Sequence, residues 1–119
     1  MALKINLKAG DRLLMATSTV EIAGDGYTTL IINGTIPVLR ASDAITLEQA
    51  VTPTQQFRYL IQQAYLSNDG ELLRQARILA EQSHDLADSL LEVIALFEKG
   101  QTFKALREAT AIDQGRTPG

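Results

Sequence analysis

The sequence predicts an α+β protein: an N-terminal antiparallel β-sheet of about five strands followed by a C-terminal bundle of about four helices. Three observations predict it. Before Ser42, apolar residues alternate with polar ones, and Gly, Asn and Asp interrupt them at short intervals. After Ser42 the apolar spacing becomes helical. Thr52-Pro53 and Gly100 are then clear helix start and stop signals. The chain accordingly divides into a strand-rich head over residues 1–45, a helical bundle over 46–113 and a polar tail over 114–119 that is expected to be flexible.

In the head, Leu3, Ile5 and Leu7 alternate with Lys4, Asn6 and Lys8, the period of a half-buried strand. Ala9-Gly10-Asp11 is a turn signal, and Arg12 to Ala16 reads as an apolar strand. Val20 and Ile22 alternate with Thr19 and Glu21 in another. Gly24-Asp25-Gly26 tolerates positive φ and predicts a hairpin turn into Tyr27–Ile32, a β-branched and aromatic run expected as a central strand. Asn33-Gly34 is the strongest hairpin signal in the chain. The return strand, Thr35 to Arg40, contains Pro37, which cannot donate to a ladder and so belongs at an edge or a bulge.

In the bundle, Thr46 and Gln49 have capping-box spacing for a short turn. Thr52 can cap a longer helix, with Pro53 in its first position and Gln55 reaching back. Phe57, Leu60, Ile61, Ala64 and Tyr65 form its stripe, and Asn68-Asp69-Gly70 ends it. Leu72, Leu73, Ala76, Leu79 and Ala80 mark a second helix. A third, from about Asp85 to Glu98, is apolar nearly all round and is expected at the centre. Gly100 stops it, and Thr102 is placed to cap a fourth through Phe103, Leu106, Ala109 and Ile112. The strands leave an apolar face to be covered by the bundle or by a second copy of the chain, so a homodimer is one expectation.

Composition narrows the function. The net charge is −3 and the pI about 5.0, which argues against a general electrostatic nucleic-acid binder but leaves room for a local basic patch. There is no cysteine, so no disulfide, thiolate metal site or cysteine nucleophile, as fits a cytoplasmic location. The N-terminus does not read as a signal peptide. No apolar run reaches membrane-spanning length: Ser89–Phe97 is broken by Glu92 and ends at Glu98-Lys99.

The sequence offers no catalytic residue, metal site or cofactor site. Ser83-His84-Asp85 contains the single histidine, but neighbouring residues on a helix point about 100° apart and cannot form a triad. It reads as a helix junction with Asp85 as cap. Asp85, Asp88 and Glu92 share a helical face and read as a solvated, dipole-complementing set. Gly24-Asp25-Gly26 opens a strand, not a helix, and so lacks the anion site of a phosphate loop.

Surface recognition remains. The head carries four basic residues, Lys4, Lys8, Arg12 and Arg40, balanced by Asp11, Glu21, Asp25 and Asp43. Lys4 and Lys8 share a strand face by parity. If the first and last strands are neighbours, Arg40 joins them in one patch. Arg58, Tyr59, Tyr65 and Phe103 are a second set, for a protein partner, although Tyr65 and Phe103 also lie on the apolar stripes.

Leu7-Lys8-Ala9-Gly10-Asp11-Arg12, Ile32-Asn33-Gly34, Val38-Leu39-Arg40, Thr52-Pro53, Tyr65-Leu66 and Gly100-Gln101-Thr102-Phe103-Lys104-Ala105-Leu106 stand in the order and spacing of the FlbT family. The chain resembles that family of alphaproteobacterial flagellum biosynthesis regulators over nearly its whole length. The resemblance implies a post-transcriptional repressor or adjuster of flagellin synthesis that acts on the 5′ untranslated region of flagellin mRNA, alongside the partner regulator FlaF. The head, from Leu3 to about Ile45, is also similar in strand order to the carbon storage regulators, small RNA-binding proteins that dimerise through interleaved strands. That similarity carries the RNA-flanking basic positions onto Lys8 and Arg40, whereas the other first-strand arginine falls on Leu7. The expected activity is therefore RNA binding through Lys8, Arg40, Lys4 and Arg12. The alternative is a protein-interaction module binding FlaF or flagellin, with an indirect effect on flagellin expression.

Overall fold

The computed structural model describes residues 2–115. The predicted class is there: five antiparallel strands precede four α-helices. The chain splits into two compact units, with the boundary between Ala44 and Ile45.

The first unit contains β1 (Ala2–Lys8), β2 (Arg12–Met15), β3 (Ser18–Glu21), β4 (Tyr27–Asn33) and β5 (Val38–Arg40). They form two antiparallel ladders, β1–β4 and β3–β2–β5. β1–β4 and β2–β3 continue one another as the two halves of a single long hairpin. The inner half runs from Met15↔Ser18 to Arg12↔Glu21, and the outer half from Lys8↔Tyr27 to Ala2↔Asn33. Between the halves lie residues 9–11 on one arm and 22–26 on the other, an excess of two residues that must be absorbed as a bulge.

Hydrogen bonds hold that bulge. Ala9 N donates to Gly26 O at 3.0 Å, Gly10 N to Ile22 O at 2.8 Å and Ile22 N to Asp11 O at 2.9 Å. The Asp11 carboxylate accepts from Lys8 N at 2.9 Å. Gly10 and Gly26 have φ of 88° and 83°, a region that side chains rarely enter. The fold at this point brings Ile5, Leu7 and Ile32 of the outer ladder into one cluster with Leu13 and Val38 of the inner sheet. Leu7 and Leu13 are 1% and 0% exposed, so the unit has a core of its own.

Several local expectations differ. Neither Gly24-Asp25-Gly26 nor Asn33-Gly34 closes a hairpin, because β4 pairs with β1 and not with β3 or β5. Tyr27–Ile32 is therefore not a central strand, and β1 and β5 are not ladder neighbours. The hairpin turn is Ala16-Thr17, where Ala16 takes φ 52° without glycine or asparagine to announce it. Pairing of apolar strand faces outweighs turn chemistry here. Pro37 behaves as expected: it precedes β5 on the edge of β2, and its carbonyl accepts from Ala16 N at 3.0 Å.

The second unit contains α1 (Pro53–Ser67), α2 (Gly70–Glu81), α3 (Ala87–Glu98) and α4 (Thr102–Asp113). Thr52 and Gln55 form the predicted capping box, and Asn68 closes α1 in the left-handed conformation at φ 56°. Asp69 caps α2 by accepting from Glu71 N at 2.9 Å. The Arg74 side chain, hydrogen-bonded to the Glu71 carboxylate, holds that carboxyl below its ordinary pKa. Thr46 and Gln49 make both box hydrogen bonds, but on a turn and not on a helix.

Two caps differ from expectation. A 3-10 turn, His84–Leu86, leads into α3, and neither Asp85 nor any other side chain caps it. Gln101, and not Thr102, stands at the α4 cap position, again without a side-chain bond. Gly100 stops α3 at φ 87° as predicted. The helices pack in a ring, α1 on α2 and α4, and α3 on α2 and α4. No helix is central: α3 buries Leu90, Val93 and Ile94 but exposes Glu92 and Ala95. Of the tail, residues 116–119 lie outside the described residues, and Gln114 and Gly115 complete the last turn of α4.

Replacing Gly10 with alanine isolates the cost of the bulge conformation, because an added Cβ meets nothing within 4 Å. Gly10→Ala is expected to lower stability by about 1–2 kcal/mol, read as a lower urea midpoint at unchanged slope.

Candidate nucleic-acid interface

Parity divides the β1–β4 ladder into two faces. Ile5, Leu7, Leu30 and Ile32 point inward, and their neighbours point out. The outward face consists of the opposed pairs Ala2/Asn33, Lys4/Ile31, Asn6/Thr29 and Lys8/Tyr27. Two of its eight residues are lysines and none is acidic, although the unit as a whole has no net charge. None of its acids is an outward ladder residue: Asp11 accepts from the Lys8 backbone at the end of the ladder, Glu21 faces Arg12, and Asp25 and Asp43 fall in connections.

The even positions of β1 are non-hydrogen-bonded ladder positions, where opposed side chains approach most closely. Lys8 shows this, since its N–H and C=O both bond Asp11 and not β4. The Thr29 hydroxyl accordingly reaches the Asn6 side-chain oxygen across the strands at 2.9 Å.

Arg40 reaches β1 at the edge away from β4, a contact the ladder order does not reveal. Its Nη2 donates to the Asn6 carbonyl at 3.2 Å, between the rows that carry Lys4 and Lys8. Lys4 and Lys8 thus flank Asn6 on the outward face, and Arg40 meets the same residue at its backbone carbonyl. Arg12 does not join them: it lies on β2, paired with Glu21 at 3.3 Å, both side chains being well exposed. An exposed pair of this kind adds little stability and leaves little net positive charge.

The face includes a residue that sequence reading passed over. Tyr27 is 87% exposed, directly opposite Lys8. Only the β1–β4 register places it there, and the expectation of a central strand concealed it. Ile31, 55% exposed, faces Lys4 on the same surface.

The second set of residues is divided between core and surface. Arg58 lies inside the α1–α4 contact, donating to the Asp113 carboxylate at 3.0 Å, with the two side chains only 12% and 10% exposed. Thr54 donates to the other Asp113 oxygen at 3.3 Å. Tyr59 and Tyr65 are half-buried. Phe103 is 49% exposed and leans on Tyr65, ring centroids 5.9 Å apart and planes tilted by 53°. Among the described residues no cluster of His, Asp or Glu is disposed to hold a metal ion. No helix among them is long and apolar enough to cross a membrane.

Removing one member of the Arg58–Asp113 pair leaves the other charge largely out of water. Arg58→Ala is expected to cost about 3 kcal/mol in chemical denaturation, much more than a surface ion pair would.

Comparison with known proteins places the chain in a family. Residues 3–113 match the family model described as "Flagellar protein FlbT". A "probable flagellum biosynthesis repressor protein FlbT" from Rhodopseudomonas palustris strain TIE-1 is 36% identical over 69 residues, 58% of this chain and 54% of the relative; the protein of the same name from strain CGA009 matches equally. A similarly named protein from Bradyrhizobium diazoefficiens is 33% identical over 69 residues, 58% of this chain and 47% of its own length. The chain thus spans about half the length of the curated relatives it matches. No solved structure matches it. On the family match over nearly its whole length, the chain belongs to the FlbT family of flagellar proteins.

Proposed function

We propose that this chain regulates flagellin synthesis in the cytoplasm by binding the 5′ untranslated region of flagellin mRNA through its first unit, acting by recognition and not by catalysis. Family membership and the repressor names of its relatives support a regulatory role in flagellum biosynthesis. One observation carries the RNA reading: the outward β1–β4 face holds two lysines and no acidic residue, with the Arg40 guanidinium bonded at the edge of β1, in a unit of zero net charge. Separating the charges in this way produces a local positive field that the overall pI conceals. An exposed strand face with basic side chains suits unpaired loop bases and their phosphates better than a duplex.

The contacts are few, so binding falls with salt along a shallow slope. Each single-strand phosphate contributes about 0.7 to the log–log slope. In a gel-shift titration against the flagellin leader RNA, Lys8→Ala with Arg40→Ala is expected to weaken binding and reduce the slope by about 1.4. Equal affinity and slope for variant and wild type would refute the assignment.

A second reading has one observation in its favour. Phe103 is half-exposed beside Tyr65, an aromatic edge suited to a protein partner such as FlaF or flagellin. In this reading the effect on flagellin expression is indirect, and a second copy of the chain is a further possible partner. Phe103→Ala then abolishes co-purification with FlaF or flagellin while leaving RNA retention unchanged.

A further inference from the structure

The geometry points to Tyr27 as a base-stacking platform: the β1–β4 face binds single-stranded RNA by stacking a base on the Tyr27 ring while Lys8, directly opposite, holds the adjoining phosphate. The inference rests on the RNA reading above and adds to it the way a base is held.

Tyr27 is 87% exposed, a large aromatic surface left in water on a regular strand. It is the first residue of β4, and its cross-strand partner is Lys8 at a non-hydrogen-bonded position, where opposed side chains stand closest. A single-stranded nucleic acid requires this pairing of a π-face for a base and a cation for the backbone. A protein partner requires a larger buried apolar centre, whereas Tyr27 has Lys8 across from it and Thr29 next on its own face.

The neighbouring rows extend the platform along the strands. Successive outward pairs are two residues, about 6.6 Å, apart. Asn6 with Thr29 offers hydrogen-bonding groups for a base edge, and Lys4 with the exposed Ile31 repeats the cation-beside-apolar arrangement. Charge favours the same occupant: two of the eight outward ladder residues are lysines and none is acidic, and the Asp11 carboxylate at the end of the Lys8 row is bonded to the Lys8 backbone N–H.

The test uses the full chain and two probes of equal length: an unstructured oligouridylate and its abasic ribose-phosphate counterpart. Stacking requires the base, so Tyr27→Ala is expected to weaken oligouridylate binding by about fivefold to a hundredfold and to leave abasic binding unchanged. Tyr27→Phe keeps the ring and binds like wild type. The chain has no tryptophan, so Tyr27→Trp provides a single reporter whose emission is quenched as oligouridylate, but not the abasic strand, is added.

Equal oligouridylate affinity for Tyr27→Ala and wild type overturns the proposal, as does an equal loss on both probes. If Lys8→Ala weakens oligouridylate binding while every Tyr27 variant is silent, stacking alone fails and the RNA reading survives. If wild type binds neither the oligouridylate nor the leader RNA, both fail. The strong exposure of Tyr27 makes misfolding an unsuitable explanation for its variants, and an unchanged urea midpoint confirms that for each.

Discussion

The bulge between Lys8↔Tyr27 and Arg12↔Glu21 is the constraint on which the first unit depends. A two-stranded ribbon has one apolar face and nothing to bury it against. Inserting two more residues on one arm than on the other interrupts the ladder and folds the ribbon over. Ile5, Leu7 and Ile32 then meet Leu13 and Val38, and a short sequence acquires a core without a disulfide. The glycines at positive φ and the Asp11 carboxylate on Lys8 N are what make that interruption conformationally accessible and polar-satisfied.

The same interruption produces the candidate interface. It sets the register of β1 against β4, and that register puts Tyr27 opposite Lys8 and Ile31 opposite Lys4. A slip of β4 by one residue would turn Tyr27 and Ile31 to the other face, away from the lysines. Core and candidate interface are therefore two faces of one pairing. Arg40 then reaches the Asn6 carbonyl from a different sheet, so its contact with β1 is tertiary and not one between ladder neighbours.

The helical unit is held by polar groups at places where apolar packing alone would be indifferent to register. Gln62, only 2% exposed, accepts from Ile45 N at 2.9 Å and donates to Ile45 O at 3.0 Å, so its amide satisfies both backbone groups of the residue that opens the unit. Arg58 and Asp113 fix the contact of α1 with α4, and Arg77 and Glu98 join α2 to α3 at 2.7 Å. The first two arrangements are buried enough that leaving either half unmatched is costly. The exposed Arg77–Glu98 pair contributes much less.

The sequence by itself determined the fold class, the order of its elements and most helix ends. Period-two alternation, period-3.6 stripes, the Thr52–Gln55 box and Gly100 are local signals, and local physics is sufficient to read them. It also determined Lys4 and Lys8 as one surface, because strand parity needs no partner. Only the tertiary structure decided which strands pair. Asn33-Gly34 and Gly24-Asp25-Gly26 announce turns, yet a turn signal says that the chain bends and not which strands it joins. It likewise decided that Arg58 is occupied within the fold, that Arg12 is neutralised and that Arg40 reaches β1. Tyr27 makes the distinction plainest. Its aromatic character is written in the chain, but its exposure opposite a lysine depends on a pairing between residues 19 positions apart, which no local pattern specifies.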